Sequence, residues 1–346
     1  YGVLVASCAL AALYVALAGL IRQRSVQVAA ALWVLGSAAV FPLAGGELPF
    51  VRGHEVLPVA TEVVNGQLNL LLALVLIVIT LAMTRRRPRV DLAARAPERS
   101  VARRETLRLV GYGVLAGLGG LAVGELAGDH AYGLHLPGTI YGLHDGTLQA
   151  GWVAGWAAYN FLFFAVVPYV VFRRRGYDDT RLNLRSADRR RDAALILVIL
   201  LVESAAELGT VSSEIFALDA GQLLVGLPLA FTVNFVGTVL PIMVFVYAIL
   251  LPRFARLTGS PATTAVLGGV AYAVIHTFES WAVYSSLSAG LLTVVFLFLQ
   301  YFGPGLIKSV LTQRTGNAWV HVWAYHAIAP HVTLDTVTLL DSLDLR

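Results

Sequence analysis

The stretch that decides the fold is residues 193–210, AALILVILLVESAAELGT, an apolar run of membrane-spanning length that carries two glutamates. An α-helix rises 1.5 Å per residue, so about 20 apolar residues cross the bilayer's hydrocarbon core, which is roughly 30 Å thick. Over the whole chain of 346 residues, 58% are hydrophobic, 13% are charged and the mean hydropathy is +0.74. Soluble domains carry about 25% charged residues, so this composition excludes a soluble globular protein.

Apolar runs of similar length recur along the chain, bounded by arginine, glycine or proline. Ten are predicted, at about residues 2–20, 26–44, 67–84, 109–127, 151–172, 193–210, 222–251, 264–288, 290–308 and 318–340. Because these runs are continuous rather than alternating, they favour helices over barrel strands. The predicted fold class is an all-α polytopic membrane protein with about ten transmembrane helices.

Basic residues predict the orientation of these helices. With the N-terminus outside, all 25 basic residues except Arg52 and Arg346 fall in loops on one side. Cytoplasmic loops are enriched in Arg and Lys, so both termini are predicted outside and the Arg-rich loops cytoplasmic. We expect the chain to lie in the plasma membrane of a prokaryote. Its expected partner is the lipid bilayer, and binding to nucleic acid is not expected. Cys8 is the only cysteine, which excludes an intrachain disulfide and cysteine-based metal sites.

One charged stretch divides the chain. Residues 84–107, TRRRPRVDLAARAPERSVARRETL, carry both signs of charge and few apolar residues. This composition is typical of a solvated segment. It predicts a three-span region at 1–83, a basic cytoplasmic linker at 84–107 and a seven-span membrane domain at 108–346.

Ionisable side chains near the bilayer centre are costly, so we expect each to have a partner or a task. The candidates lie on three predicted helices: Glu203 and Glu207, then His276 and Glu279, then His321, His326 and His331. Spacings of three or four residues put the members of each of the first two pairs on one helix face. Carboxylates and imidazoles at similar depth suit one divalent metal ion, either zinc, manganese or iron. A hydrogen-bonded network between helices, and proton, haem or quinone chemistry, are the alternatives.

A second polar cluster lies in residues 124–149, GELAGDHAYGLHLPGTIYGLHDGTLQ. Its acids and histidines are Glu125, Asp129, His130, His135, His144 and Asp145. We expect a water-exposed outer loop whose polar groups are solvated, with a divalent metal site as the alternative.

Residues from about 151 to 336 resemble the CPBP family, the CAAX protease and bacteriocin-processing intramembrane metalloproteases. The likeness is carried by RRRGYDDTRLNLRSADRRRDAALIL at 173–197, VNFVGTVLPIMVFVYAILLPRF at 233–254, YAVIH at 272–276 and RTGNAWVHVWAYHAIAPH at 314–331. The resemblance implies a CPBP-like helical core in the C-terminal part of the chain. It also implies that His276 and His326 stand at the family's histidine positions.

The chain departs from the family pattern at its acids. Ile242 and Met243 stand where the family has paired glutamates, Tyr247 where it has arginine, and Pro330 where it usually has asparagine. This pattern favours a non-proteolytic scaffold or a subunit of a membrane complex, with other membrane subunits as partners.

Two alternatives to the scaffold stay open. The first is a metal-dependent intramembrane hydrolase acting on a membrane-protein substrate, with Glu203 or Glu207 as the relocated catalytic acid. The second is a haem- or proton-handling subunit. The candidate metal ligands are His276, His326, Glu279 and His331.

Overall fold

The computed structural model describes residues 17–50, 58–128, 130–139, 141, 148–210 and 213–345. Within these residues the chain is helical and has no strand, and eight helices are long and apolar enough to cross a membrane. These eight helices are α1 (Arg24–Ala44), α2 (Val59–Thr84), α3 (Arg99–Gly128), α4 (Ala150–Arg174), α5 (Arg189–Thr210), α6 (Ala220–Thr258), α7 (Pro261–Phe278) and α8 (Leu287–Thr315). The chain is therefore an α-helical polytopic membrane protein.

The eight helices match the second to ninth predicted runs. The first run, 2–20, lies almost wholly outside the described residues, although residues 17–21 are helical. The tenth run corresponds to a broken segment, α9 (318–342), in which α-helical pieces alternate with π-helical turns at Val322–His326 and Ala329–Leu334. Breaks of this kind are frequent at functional sites.

Helices α6 and α8 form the centre of the bundle. In the apolar, membrane-length stretch of α6, 83% of the residues are buried, and in that of α8 61% are buried. The corresponding share for α1 is only 11%, so α1 lies at the periphery. Local sequence determines where these helices begin and end. Asp219 and Gln222 form a reciprocal capping box at the start of α6. Gly316, with φ of +66°, ends α8 in the left-handed conformation that glycine adopts without strain.

Several predicted boundaries differ from the observed ones. Helix α3 begins at Arg99 instead of about 109, so the end of the predicted linker is helical, and α8 ends at Thr315 instead of about 308. Helix α2 begins at Val59 instead of about 67, because the buried carboxylate of Glu62 accepts hydrogen bonds from Tyr141 and Asn65. Helix α7 ends at Phe278 instead of about 288, and Glu279 adopts an extended backbone. The helical face predicted for His276 and Glu279 is therefore wrong, and Glu279 lies just beyond the helix.

Buried charge joins the helices at the end of the bundle where α3 and α5 begin. Arg253 of α6 is 1% exposed and donates two hydrogen bonds, of 2.9 and 2.7 Å, to Oε2 of Glu105 on α3. Arg87, in the segment before α3, pairs with Asp192 of α5 at 2.6 Å. Charge-assisted bonds of this geometry hold the helix ends in register.

Candidate metal centre

Two connectors build the site at the opposite end of the bundle. They are the α3–α4 connector, residues 129–149, and the α7–α8 connector, residues 279–286. Successive helices cross the membrane in opposite directions, and four helices separate the two connectors, so both connectors lie at the same end of the bundle. Residues 131–139 are all buried, so the prediction of a water-exposed loop is wrong for this part. Of the outer cluster, Asp129, His144 and Asp145 lie outside the described residues.

Polar side chains of the bundle pair with the backbone of the α3–α4 connector. Trp156 and Asn160 of α4 each donate to the carbonyl of Gly133 at 2.7 Å. Thr238 of α6 donates to the carbonyl of Leu134 at 2.5 Å. A buried backbone carbonyl without a partner is costly, so these bonds explain how an irregular segment is held inside the bundle.

A glycine face on α3 makes room for the connector. A Cβ atom on Gly120 would lie 2.7 Å from the carbonyl oxygen of Tyr132, and one on Gly124 would lie 2.5 Å from the Tyr132 nitrogen. The Tyr132 N–H in turn donates to the Gly120 carbonyl at 3.0 Å. The small residues of α3 therefore make room for the connector.

Glu279 links the two connectors. Its carboxylate accepts the backbone N–H of His135, with distances of 3.1 and 3.2 Å to the two oxygens, and its Oε1 lies 3.3 Å from His135 Nδ1. Gly133 permits this approach, because a Cβ there would meet Oε2 of Glu279 at 2.5 Å. Glu279 is 3% exposed and His135 is 4% exposed.

Burial dominates the electrostatics of this pair. Burial raises the pKa of Glu279 well above its ordinary value, while the backbone N–H groups of His135 and Leu134 act in the opposite direction. Burial lowers the pKa of His135 well below its ordinary value, and His276 beside it lowers the pKa further. His135 is therefore a neutral imidazole with a free lone pair, which is the form that binds metal ions.

His276 presents a nitrogen to the same space. Its Nδ1 lies 2.5 Å from the carbonyl oxygen of Tyr272, which can only accept, so Nδ1 carries the proton. Its Nε2 is then an acceptor, is buried without a hydrogen-bond partner and lies 3.9 Å from Oε1 of Glu279. The ring stacks on Tyr301 with centroids 3.9 Å apart. A backbone carbonyl that fixes the tautomer in this way is a common support for a metal-ligating histidine.

His135, His276 and Glu279 each offer one ligand atom, and these atoms lie within 4.8 Å of one another. All three residues are buried. Two imidazole nitrogens and a carboxylate oxygen suit zinc, iron or manganese. The described residues thus contain a group able to hold a divalent ion.

The other predicted ligands lie beside this group. The ring of His331 is 5.5 Å from that of His135 and 5.3 Å from that of His326. His326 lies beyond His331, and its Nε2 is 3.5 Å from the hydroxyl of Tyr272. Both are buried, and neither belongs to the group formed by His135, His276 and Glu279.

The predicted catalytic acids also lie apart from this group. Glu203 is fully buried, and neither of its carboxylate oxygens has a hydrogen-bond partner. Glu207, one helical turn later, is half-buried and accepts a bond of 3.4 Å from Thr333. Lys308 of α8 interacts electrostatically with Glu203, and its ammonium lies 3.8 Å from the centre of the Tyr272 ring.

The sequence placed His135 in an outer loop whose polar groups were expected to be solvated, with a divalent metal site as the alternative. The available signal was its recurrence in two similar phrases, YGLHLPG at 132–138 and YGLHDG at 141–146, flanked by apolar residues. That signal could not show that the loop folds inward. Comparison with known protein families, with curated proteins and with solved structures found no match to this chain.

Proposed function

We propose that this chain is a non-proteolytic membrane scaffold in which one buried divalent ion joins the two connectors to the helical bundle. The observation that carries the proposal is the group formed by His135, His276 and Glu279, whose ligand atoms lie within 4.8 Å of one another. The ion would be zinc, manganese or iron, in keeping with the nitrogen and oxygen donors. It would tie together segments 144 residues apart in the chain.

The residues that occupy the acid positions of a CPBP-like protease favour the scaffold. Ile242 and Met243, which stand at those positions in the resemblance, are 0% and 2% exposed and belong to the main apolar core. Tyr247, which stands at the arginine position, is also buried, and its hydroxyl donates to the Gly305 carbonyl at 3.4 Å. An apolar core at this place leaves no carboxylate to activate water.

The proposal extends to the surroundings of the protein. A scaffold of this kind would sit in the plasma membrane of a prokaryote with its Arg-rich loops in the cytoplasm. Its partners would be lipids and other membrane subunits. Leu126 and Leu224, 89% and 77% exposed, are examples of the apolar side chains that a bilayer or a second subunit would cover.

Elemental analysis of the purified full chain tests the metal site. We expect about one equivalent of zinc, manganese or iron in the wild type and its loss in His276→Ala and in Glu279→Gln. His130→Ala is the matched control, because His130 lies in the same connector but contacts Trp152 rather than the ligand group. Wild-type protein without metal, or metal retained in both ligand variants, would contradict the proposal.

A second candidate function is a metal-dependent intramembrane hydrolase acting on a membrane protein. It is favoured by the donor set, since two histidines and one glutamate with a bound water make up a common catalytic zinc site. Glu203, whose oxygens have no partner, would supply the relocated acid. Hydrolysis of a membrane-embedded peptide that is lost in Glu203→Gln, with the metal content unchanged, would favour the hydrolase over the scaffold.

A further inference from the structure

We infer that a cavity formed by the segment from the end of α4 to the start of α5 binds the phosphate group of an anionic phospholipid. The cavity measures about 470 Å³ and lies at the end of the bundle opposite the candidate metal centre. The charged residues that line it are Arg173, Asp178, Asp179, Arg185 and Arg189. The inference is independent of the proposed metal ion, because the cavity and the ligand group share no residue.

Two of the three arginines in this lining are free to bind an anion. Arg173 pairs with Asp179, whose Oδ1 lies 3.2 Å from Arg173 Nη1. Oδ1 of Asp178 accepts a backbone N–H at 2.8 Å. Within the part of the chain that the structure describes, Arg185 and Arg189 have neither an ion pair nor a side-chain hydrogen bond. A guanidinium donates two parallel hydrogen bonds to the oxygens of a phosphate, so these two side chains suit that group.

The backbone of the cavity is anchored to the bundle through Asn183. This residue is fully buried and has a φ of +56°, a left-handed conformation that asparagine tolerates. Its Nδ2 donates to the Tyr247 carbonyl at 3.0 Å, and its Oδ1 accepts from Arg95 at 2.5 Å. Its own carbonyl accepts the N–H of Ala318 at 2.7 Å. The backbone that presents Arg185 is therefore already ordered, which lowers the entropic cost of binding a ligand there.

The place of the cavity in the fold favours a lipid over a soluble anion. Arg173 lies in the last turn of α4 and Arg189 is the first residue of α5, so both stand where the apolar part of a helix meets its polar connector. Val170 and Val171, about one turn before Arg173, are exposed, and so is Leu197, two turns after Arg189. Acyl chains would lie against these side chains while the headgroup occupies the cavity. Basic pockets at this level of membrane helices are typical headgroup sites.

The charge of the segment selects an anionic headgroup. Residues 173–191 contain eight arginines and three aspartates, which gives a formal net charge of +5. Phosphatidylglycerol carries a net negative charge, whereas phosphatidylcholine is zwitterionic and has none. The segment should therefore attract the first lipid much more strongly than the second.

Titration of the purified full chain with phosphatidylglycerol in detergent, read out by native mass spectrometry, tests the inference. We expect phosphatidylglycerol to bind in preference to phosphatidylcholine. The double variant Arg185→Gln, Arg189→Gln should bind it about 30-fold more weakly, because each arginine near an anionic surface contributes about fivefold. Arg174→Gln, Arg190→Gln is the matched control, since these exposed arginines of the same segment carry the same charge but do not line the cavity. The control should lose much less affinity.

A second variant gives a result that a folding defect cannot imitate. Asp179→Asn removes an acid from the lining and releases Arg173 from its ion pair. It should therefore bind phosphatidylglycerol about fivefold more tightly than the wild type. Unchanged or weaker binding in this variant would contradict the inference.

The remaining outcomes separate the cavity from other sources of binding. Equal losses in the two arginine double variants would show attraction by the whole basic segment and would overturn the cavity as the site. Equal binding of phosphatidylglycerol and phosphatidylcholine would overturn the anionic headgroup. Inorganic phosphate offers the same chemistry without acyl chains, so release of the lipid by millimolar phosphate would make a soluble anion the ligand and overturn the lipid.

Discussion

At the scale of single residues, Lys308 and Glu203 are two buried ionisable groups of the helical bundle. Lys308 is 1% exposed and Glu203 is 0% exposed, and the two interact electrostatically without a direct contact within 4.0 Å among the ion pairs of the described residues. The ring of Tyr272 shields the ammonium on one side.

Removing one member of this pair should therefore destabilise the protein more than removing both. We expect Lys308→Met to lower the free energy of unfolding by about 1–3 kcal/mol, because Glu203 then stays buried without its electrostatic partner. The double variant Glu203→Gln, Lys308→Met should recover most of that loss. Unfolding of the wild type, both single variants and the double variant in lipid bicelles gives this double-mutant cycle. If the effects of the two single substitutions add up to that of the double variant, Lys308 and Glu203 are not coupled.

His326 gives a second prediction at this scale. Although the sequence suggested it as a ligand, His326 lies outside the group of His135, His276 and Glu279. We expect His326→Ala to keep about one equivalent of metal, with a small loss of stability from the contact with Tyr272. Elemental analysis beside His276→Ala checks this, and loss of the ion in both variants would place His326 among the ligands.

At the scale of elements, the glycine face of α3 decides whether the α3–α4 connector can reach the site. We expect Gly124→Ala to displace the connector, because the added Cβ would meet backbone atoms of Ala131 and Tyr132. Weaker metal binding and a lower free energy of unfolding should follow. Gly111→Ala on the same helix has nothing within 4 Å of the new Cβ.

That control should be neutral or stabilising by roughly 0.5–1 kcal/mol, the usual gain from alanine in a helix. A chelator competition assay and a thermal melt of both variants make the comparison. Equal behaviour of Gly124→Ala and Gly111→Ala would show that the connector does not depend on this face.

The sequence was most informative about the number and positions of the membrane-length helices. Eight predicted runs coincide with helices because a membrane-length apolar segment has few other ways to satisfy its backbone. The boundaries of α2 and α7 shifted where a buried glutamate, Glu62 or Glu279, found partners far away in the chain. A single sequence does not show such partners.

The candidate site was predictable only in part, for the same reason. His276 and Glu279 stood out because an ionisable group in an apolar run needs an explanation. His135 was named only in the alternative of a metal site within the outer loop, and its contact with Glu279, 144 residues away, was not predicted.

At the scale of the whole molecule, the arrangement of charge predicts which end faces the cytoplasm. We expect single cysteines at Ala94 and Ala187, both exposed in basic segments, to react with an impermeant maleimide only after the membrane is opened. A cysteine at Ala217, exposed between α5 and α6, should react in intact cells. Each variant carries Cys8→Ser, and the reverse labelling pattern would invert the orientation.

The two ends of the bundle are held by different chemistry. One end contains direct ion pairs such as that of Arg253 with Glu105. The other end contains the group of His135, His276 and Glu279, which could hold a metal ion. Chelation should therefore loosen only the end that carries the connectors. Hydrogen exchange in detergent should show faster exchange at residues 130–139 after chelation, and unchanged exchange around Arg253.

The long chain separation between the ligands has a consequence for biogenesis. During synthesis His135 enters the membrane well before His276 and Glu279, so the ion of the proposed site would be captured only after α7 has been inserted. Metal uptake would then report that α7 is in place, and a chain stalled earlier would expose the α3–α4 connector to quality-control proteases. In cells starved of the ion, the newly made protein should be degraded faster while the mature pool persists.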